Sequence, residues 1–146
     1  MPARLMIEAQ ATGYAVLAVT EQRPLRVLLV DDDADVLDML QAVLTSRSLD
    51  VVGLATSGED AEQVAGVISP DVAVVDYMMP GMTGFETASR IKAARPECVI
   101  VLFSALADLA DEALAHHDVD HFVAKSNILG LEALLTDMRA ARNATE

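Results

Sequence analysis

From Leu25 onward, the chain alternates between short apolar runs rich in β-branched residues and longer stretches whose apolar residues recur at helical spacing. Runs such as VLLV at residues 27–30 have no polar alternation, which is typical of parallel strands buried on both faces. This alternation predicts a doubly wound α/β fold, in which helices cover both faces of a five-stranded parallel sheet. The predicted strands are residues 26–30, 51–55, 72–75, 99–103 and 121–124.

Five helices are predicted, one after each strand, and each carries an apolar stripe. The predicted N-caps of the first three helices are Asp33, Ser57 and Thr83, whose side chains can accept hydrogen bonds from free N–H groups. Thr83 and Glu86 also have the spacing of a capping box. The fourth helix is expected at residues 106–116, with Leu109, Ala113 and Leu114 facing the core, and the fifth contains the apolar residues of segment 128–138.

A polar stretch with a proline, residues 21–24, separates this alternating region from the residues before it. We therefore expect residues 1–24 to be an N-terminal extension of unknown role and residues 25–146 to form one domain of ordinary size. No apolar run reaches the roughly 20 residues that a membrane-spanning helix needs. The one small-residue triplet near the N-terminus precedes the apolar stretch there, so no signal peptide is expected.

Acidic residues outnumber basic ones by 23 to 10, and the formal net charge is −13. A field of this sign repels nucleic acids and anionic lipids, which argues against direct nucleic-acid or membrane partners. The single cysteine, Cys98, cannot form an internal disulfide, which favours a reducing, cytoplasmic location, and we interpret it as a core residue. His116, His117 and His121 are interpreted as residues near a helix C-terminus, and no cysteine or histidine spacing predicts zinc.

Reactive side chains follow four of the five predicted strands. They are Asp31, Asp32 and Asp33 after the first strand, Asp76 after the third, Ser104 (followed by Ala105) after the fourth, and Lys125 after the fifth. The carboxyl ends of parallel strands meet at one edge of the sheet, so these groups should converge. Converging carboxylates repel each other, and Lys125 together with a hard divalent cation such as Mg²⁺ would supply the counter-charge. A metal ion, an amine and a hydroxyl are the groups that stabilise a transferring phosphoryl group.

Four segments resemble the receiver domain of bacterial two-component response regulators: VLLVDDD (residues 27–33), PDVAVVDYMMPGMTG (70–84), FSA (103–105) and FVAK (122–125). The resemblance covers roughly residues 25–142, and the four segments occur in order at successive strand ends. It implies a flavodoxin-like (βα)5 fold with strand order 2-1-3-4-5.

The resemblance also implies roles for the acidic residues. Asp76 would accept a phosphoryl group from a histidine kinase or a phosphotransfer protein. Asp31 and Asp32 would be the acidic pair, and the protein ligands of Mg²⁺ would be Asp32, Asp76 and the backbone carbonyl of Met78, with Asp31 beside them.

By the same resemblance, Lys125 would pair with Asp76 and then with the phosphoryl oxygens. Ser104 would hydrogen-bond the phosphoryl group and draw in the loop after the fourth strand, and Ala105 would leave room for that group. Phe122 would be the aromatic switch that turns inward with this loop.

Two positions depart from the family pattern. Thr83 replaces the aspartate that usually precedes the glycine, and little functional loss is expected because threonine also caps helices. Ser126 replaces a proline that often follows the lysine in a cis peptide, which leaves the geometry of the Lys125–Ser126 peptide open. Met78 and Leu106 flank the path of an attacking water molecule and cannot orient it, so slow self-dephosphorylation is predicted.

The favoured function is a stand-alone response regulator that is not an enzyme on a separate substrate. It would signal to another protein through the face formed by the fourth helix, fifth strand and fifth helix, and a phosphorylation-dependent homodimer is compatible with this. The alternatives are a protein-binding scaffold that is never phosphorylated and the receiver part of a longer DNA-binding regulator. An acid-dependent phosphate-ester hydrolase is disfavoured, because no residue can be nominated for a general acid or a substrate pocket.

Overall fold

The computed structural model describes residues 23–144 and, for the backbone, residues 4–9 and 15–20. Seven strands occur there: β1 (Arg4–Ala9), β2 (Ala15–Thr20), β3 (Arg26–Val30), β4 (Asp50–Ala55), β5 (Val72–Val75), β6 (Val99–Ser104) and β7 (His121–Ala124). The five α-helices are α1 (Ala34–Ser46), α2 (Gly58–Ile68), α3 (Gly84–Ala94), α4 (Ala110–Ala115) and α5 (Ile128–Ala144). A 3-10 turn, Ala107–Leu109, precedes α4.

The main sheet has five parallel strands in the order β4-β3-β5-β6-β7. Counted from the first strand of the sheet, this is the order 2-1-3-4-5, and the predicted α/β fold is confirmed. The direction of winding reverses between β3 and β5, where the crossovers leave a crevice at the carboxyl ends of the strands.

Alternate residues of the central strands point to two separate cores, one on each face of the sheet. The core on the α2, α3 and α4 side includes Leu28, Val30, Ala73, Val75, Ile100 and Leu102, packed with Ala61, Ala65, Ala88, Ile91 and Ala113. The core on the α1 and α5 side includes Val27, Leu29, Val72, Val74, Val101 and Phe103, packed with Leu37, Leu40, Leu44, Leu131 and Leu135. Burial on both faces explains why the strands lack polar alternation.

The three predicted N-caps are confirmed. The Asp33 side chain accepts the N–H of Asp35, and the Ser57 side chain accepts the N–H of Asp60. At the start of α3, the Thr83 hydroxyl accepts the Glu86 N–H, and the Glu86 carboxylate accepts the Thr83 N–H.

The prediction for the fourth helix is wrong in its length and in one core residue. Leu106 donates its N–H to the Ser104 hydroxyl at 3.1 Å, so the chain turns there before any helix begins. At the other end, the His116 ring nitrogen accepts the Asp118 N–H at 3.2 Å and closes the helix. The six-residue α4 buries Ala113 but leaves Leu114 60% exposed.

β1 and β2 form an antiparallel two-stranded sheet of their own, with Arg4 opposite Thr20 and Ala9 opposite Ala15. The remaining residues of the predicted extension before Arg23, and residues 145–146, lie outside the described residues. Within residues 23–144, Leu25 is the first buried residue. Two positions earlier, the Arg23 N–H donates to the Asn143 side chain on α5. The described helices include none that is long and apolar enough to cross a membrane.

Candidate functional site

Backbone hydrogen bonds hold Asp31 and Asp76 side by side at the carboxyl edge of the sheet. Asp31 follows β3 and donates its N–H to the carbonyl of Ala55 at 3.1 Å. Asp76 follows β5 and donates its N–H to the carbonyl of Val30 at 2.9 Å. The parallel ladder therefore extends one residue beyond each strand, which fixes both carboxylates at the winding reversal.

Asp31, Asp32 and Asp76 form a carboxylate cluster in which one oxygen from each side chain lies within 4.8 Å of the others. Asp31 and Asp76 are buried, whereas Asp32 is exposed. One Asp31 oxygen accepts the N–H of Asp33 at 2.9 Å. The pocket thus has two fixed inner carboxylates and one at its mouth, which gives a cation access from solvent.

The Lys125 ammonium bridges the two buried carboxylates. Its Nζ lies 2.7 Å from Asp31 Oδ2 and 3.3 Å from Asp76 Oδ1. The Lys125 N–H donates to the Ser104 carbonyl at 2.8 Å, so the backbone of β6 positions this residue. The sequence predicted the pairing with Asp76, and the structure adds the closer pairing with Asp31. Among the described residues no peptide bond is cis, so the Lys125–Ser126 bond is trans.

Burial and charge act in opposite directions on the two ionisable partners. Burial raises the pKa of Asp76 above its ordinary value, and the neighbouring Asp31 charge raises it further, while Lys125 opposes both. For Lys125, burial is the largest single influence and lowers the pKa, but the hydrogen bond that its ammonium donates to Asp31 and the charges of Asp76 and Asp31 together raise it. Binding of a cation next to Asp76 is therefore favourable, because its positive charge offsets the repulsion between the Asp31 and Asp76 carboxylates.

The remaining predicted site residues lie on β6, β7 and their loops. Ser104, the last residue of β6, is buried, and its hydroxyl accepts the Leu106 N–H, which leaves the hydroxyl proton free to be donated. Ala105 is exposed. Phe122 on β7 is partly buried against the core on the α2, α3 and α4 side. Met78 is 62% exposed in the loop after Asp76.

Gly84 is a residue of this site that the sequence analysis did not single out. Its N–H donates to the Tyr77 carbonyl at 2.8 Å. A Cβ at this position would lie 2.6 Å from the backbone carbonyl oxygen of Asp76 and 2.8 Å from Leu102 Cδ1. Only glycine therefore lets the first turn of α3 approach the backbone of Asp76, and the MMPGMTG stretch was the available signal.

Comparison with known proteins assigns the chain to a family. A family model for the response regulator receiver domain matches residues 27–137. The chain belongs to this family. Receiver domains are components of two-component signalling, and they interact with histidine kinases and with downstream proteins.

The receiver is similar to proteins of several kinds. Protein-glutamate methylesterase/protein-glutamine glutaminase 3 of Myxococcus xanthus is 35% identical over 119 residues, which are 77% of this chain and 33% of that protein. Chemotaxis protein CheY of Thermotoga maritima is 34% identical over 85 residues, which are 58% of this chain and 71% of CheY. The chain thus spans about a third of the methylesterase relative and most of CheY.

A solved structure gives the same fold. The response regulator TrrA of Thermotoga maritima, in complex with Mg²⁺-BeF, has a TM-score of 0.70 and 26% sequence identity. The alignment covers 77% of this chain and 96% of TrrA.

Receiver domains bind Mg²⁺ in an acidic pocket, and the donors of this receiver fit that ion. Asp31, Asp32 and Asp76 offer only carboxylate oxygens, which are the ligands that a hard cation such as Mg²⁺ prefers. The pocket also holds three negative charges against the single charge of Lys125.

Proposed function

We propose that this receiver is phosphorylated on Asp76 by a histidine kinase or a phosphotransfer protein and signals through contacts with another protein. The observation that carries the proposal is the carboxylate cluster of Asp31, Asp32 and Asp76 with the Lys125 ammonium on its two buried members. A protein without a use for this cluster would gain stability by replacing one of the repelling acids.

The proposed reaction is an in-line transfer. An Asp76 carboxylate oxygen attacks phosphorus, the bond from phosphorus to the donor histidine nitrogen breaks, and the histidine takes up a proton. Most of the catalysis is then positioning and charge stabilisation. The Lys125 ammonium lies 3.3 Å from Asp76 Oδ1 and can follow the new phosphoryl oxygens. The Ser104 hydroxyl has a free proton to donate to one of them.

Within this proposal, Asp32, Asp76 and the Met78 carbonyl would hold Mg²⁺, with Asp31 beside them. When bound, the ion supplies positive charge to the phosphoryl oxygens during transfer. The exposed position of Asp32 keeps this side of the pocket open to solvent and to a partner.

The phosphoryl group would act as a switch by redistributing the contacts of Lys125 and Ser104. Lys125 is bound to both Asp31 and Asp76 before transfer, and a phosphoryl group would compete for it. Ser104 is already hydrogen-bonded to the Leu106 N–H, so movement of its hydroxyl would carry the loop ahead of α4 with it. Ala105 leaves space for the group, and Phe122, only partly buried, would fill the space that this loop vacates.

The output surface is proposed to be the face formed by α4, β7 and α5. Leu114 on α4 and Leu129 on α5 are 60% and 70% exposed, which suits contacts with another protein. A phosphorylation-dependent homodimer could use the same face. No activity on a separate substrate is proposed, and the single buried cysteine, Cys98, agrees with a cytoplasmic location.

The lifetime of the phosphorylated state is proposed to be long. Met78 and Leu106 are both exposed near the pocket, and neither side chain can orient a water molecule for attack. Purified phosphorylated protein in Mg²⁺ should therefore hydrolyse slowly, and a half-life of seconds would contradict this.

The test is incubation with acetyl phosphate, with and without Mg²⁺, followed by separation of phosphorylated protein on a phosphate-affinity gel. Wild type should be phosphorylated only with Mg²⁺. Asp76→Asn should not be phosphorylated, and Asp32→Asn should be phosphorylated much more slowly. Asp38→Asn, which removes an exposed acid from α1, is the matched control and should behave as wild type. Equal phosphorylation of Asp76→Asn and wild type would overturn the proposal in favour of an unphosphorylated scaffold.

A second candidate is a receiver that controls an enzyme within the same polypeptide. The methylesterase relative, of which this chain spans 33%, favours it. Immunoblotting of native cell extract distinguishes the two: a band at 15.5 kDa supports the stand-alone regulator, and a much larger band supports the longer enzyme.

A further inference from the structure

Two histidines and an aspartate converge where α4 ends. His116, His117 and Asp118 are consecutive, and each offers a ligand atom that lies within 4.8 Å of the other two. The cluster does not include His121, which opens β7. The sequence interpretation treated the histidines as a helix terminus alone, because adjacent histidines do not have the spacing of a usual zinc motif.

One pair of donor atoms already has a separation close to that found around a metal ion. His117 Nε2 lies 3.2 Å from Asp118 Oδ2. Two ligands that each lie about 2.0–2.1 Å from a tetrahedral zinc ion are about 3.3 Å apart. The third donor comes from the His116 ring, which lies parallel to the His117 ring with centroids 5.1 Å apart and whose Nδ1 accepts the Asp118 N–H.

Neighbouring residues hold two of the three donors in place from α3. The Ser89 hydroxyl donates to Asp118 Oδ2 at 2.7 Å, an outer-shell contact of the kind that orients metal-binding carboxylates. The Phe85 ring stacks on the His116 ring with centroids 4.9 Å apart and planes 14° apart. Ser89 and Phe85 thus limit the side-chain freedom that metal binding would otherwise remove.

The site is also accessible. The His117 side chain is 86% exposed, and that of Asp118 is 20% exposed. An ion could approach from solvent and keep water molecules on its remaining coordination positions.

The geometry points to a binding site for a divalent transition-metal ion, with Zn²⁺ as the representative ligand, formed by His116, His117 and Asp118. It differs chemically from the carboxylate pocket. Imidazole nitrogens suit Zn²⁺, Ni²⁺ and Cu²⁺, whereas a set made only of carboxylates suits Mg²⁺. The histidine site would therefore bind transition-metal ions and the carboxylate pocket would bind Mg²⁺. The zinc site does not depend on the proposed phosphorylation.

The test is calorimetric titration of Zn²⁺ into the full chain in excess Mg²⁺, which occupies the carboxylate pocket. Wild type should bind one equivalent of Zn²⁺. His117→Asn and His116→Asn should each weaken binding by more than about tenfold, since even an outer-shell change costs that much. His121→Asn is the matched control and should bind as wild type.

A second readout locates the ion directly. Histidine ring resonances in NMR spectra should shift for His116 and His117 on addition of Zn²⁺ and stay in place for His121. Binding that survives both His116→Asn and His117→Asn but is lost in Asp32→Asn would show that Zn²⁺ occupies the carboxylate pocket, and this would overturn the proposal. Absence of binding by wild type would overturn it as well.

Discussion

At the scale of single residues, Asp31 controls the position of the Lys125 ammonium as much as Asp76 does. The shorter contact, 2.7 Å, is made to Asp31, and the contact to Asp76 is 3.3 Å. Asp76 is therefore a buried acid that shares its counter-charge, Lys125, with Asp31. Burial and the neighbouring Asp31 charge raise its pKa. Two predictions about individual side chains depend on burial of this kind.

The first concerns Asp76→Asn in the absence of divalent ions. The pKa of Asp76 is higher in the folded than in the unfolded chain, so the stability it contributes is present at low pH and is lost as the pH rises through the folded value. Asparagine is neutral at every pH. Asp76→Asn should therefore have the higher Tm at pH 7, and its advantage over wild type should shrink as the pH falls through the folded pKa toward about 4, the ordinary value for an aspartate.

Thermal denaturation followed by circular dichroism measures this difference. Asp32→Asn, which removes an exposed carboxylate of the same cluster, should raise Tm less. A lower Tm for Asp76→Asn than for wild type at pH 7 would contradict the electrostatic explanation.

The second concerns Cys98, which is buried at 0% exposure just before β6. Burial raises the pKa of its thiol to about 12, so the reactive thiolate is scarce at pH 8. A disulfide exchange reagent should label native protein more slowly than unfolded protein by orders of magnitude. The labelling rate with increasing urea should follow unfolding, and rapid labelling without denaturant would place the thiol at the surface instead.

At the scale of elements, the start of α3 joins the site to the rest of the fold. Thr83 caps the helix and Gly84 brings its first turn against the backbone of Asp76. A change at either residue acts on the helix and on the pocket together.

For the cap, we expect Thr83→Ala to lower the free energy of unfolding by about 1 kcal/mol, because the Glu86 N–H loses its acceptor. Thr83→Asp restores an acceptor and should return most of this loss. Urea denaturation of the two variants and wild type measures both values. Equal stability of Thr83→Ala and Thr83→Asp would show that the cap contributes little.

For the glycine, we expect Gly84→Ala to destabilise the fold by about 1–3 kcal/mol, the usual cost of overpacking. Its Cβ would meet backbone atoms of Asp76 and Tyr77, which cannot rotate away. Gly66→Ala within α2 is the matched control, because its Cβ would meet nothing within 4 Å. It should stabilise by about 0.5–1 kcal/mol, since alanine favours helix more than glycine does. The same loss in both variants would exclude the packing explanation.

At the scale of the whole molecule, negative charge dominates. The net charge is −13, and three carboxylates crowd at one edge of the sheet. A divalent cation that binds only the folded chain should therefore raise its stability.

Mg²⁺ at about 100 times its Kd should add about 2.7 kcal/mol to the free energy of unfolding. Sodium chloride of matched ionic strength is the control for general screening, and it should give a smaller rise in Tm. Asp32→Asn should lose most of the difference between the two salts. An equal response of wild type and Asp32→Asn would mean that the ion acts on the general charge and not at the pocket.

Much of this architecture could be predicted from the sequence because it depends on periodicity. Buried runs such as 27–30 and 72–75 predicted the parallel sheet, and the parallel sheet predicted that Asp31, Asp76 and Lys125 would meet at one edge. These residues are far apart in the chain, and the order of the strands in the sheet brings them together.

What the sequence did not predict depends on particular side-chain and backbone contacts, some between near neighbours in the chain and some between distant residues. The limits of the fourth helix depend on the Ser104 and His116 side chains, which accept the backbone N–H groups of Leu106 and Asp118. The need for Gly84 depends on where α3 meets the Asp76 backbone, and the choice of Lys125 between two carboxylates depends on rotamers. The periodicity of apolar residues carries none of this information.

The brevity of α4 has a consequence for the signalling circuit. A helix of six residues has little stability of its own, so its neighbours determine its conformation. Coupling between two binding events is reciprocal: if phosphorylation favours one arrangement of α4, an effector that binds that arrangement favours phosphorylation to the same degree. The abundance of the effector would then help to set the phosphorylated fraction of the regulator. The output of the pathway would in this way feed back on its input.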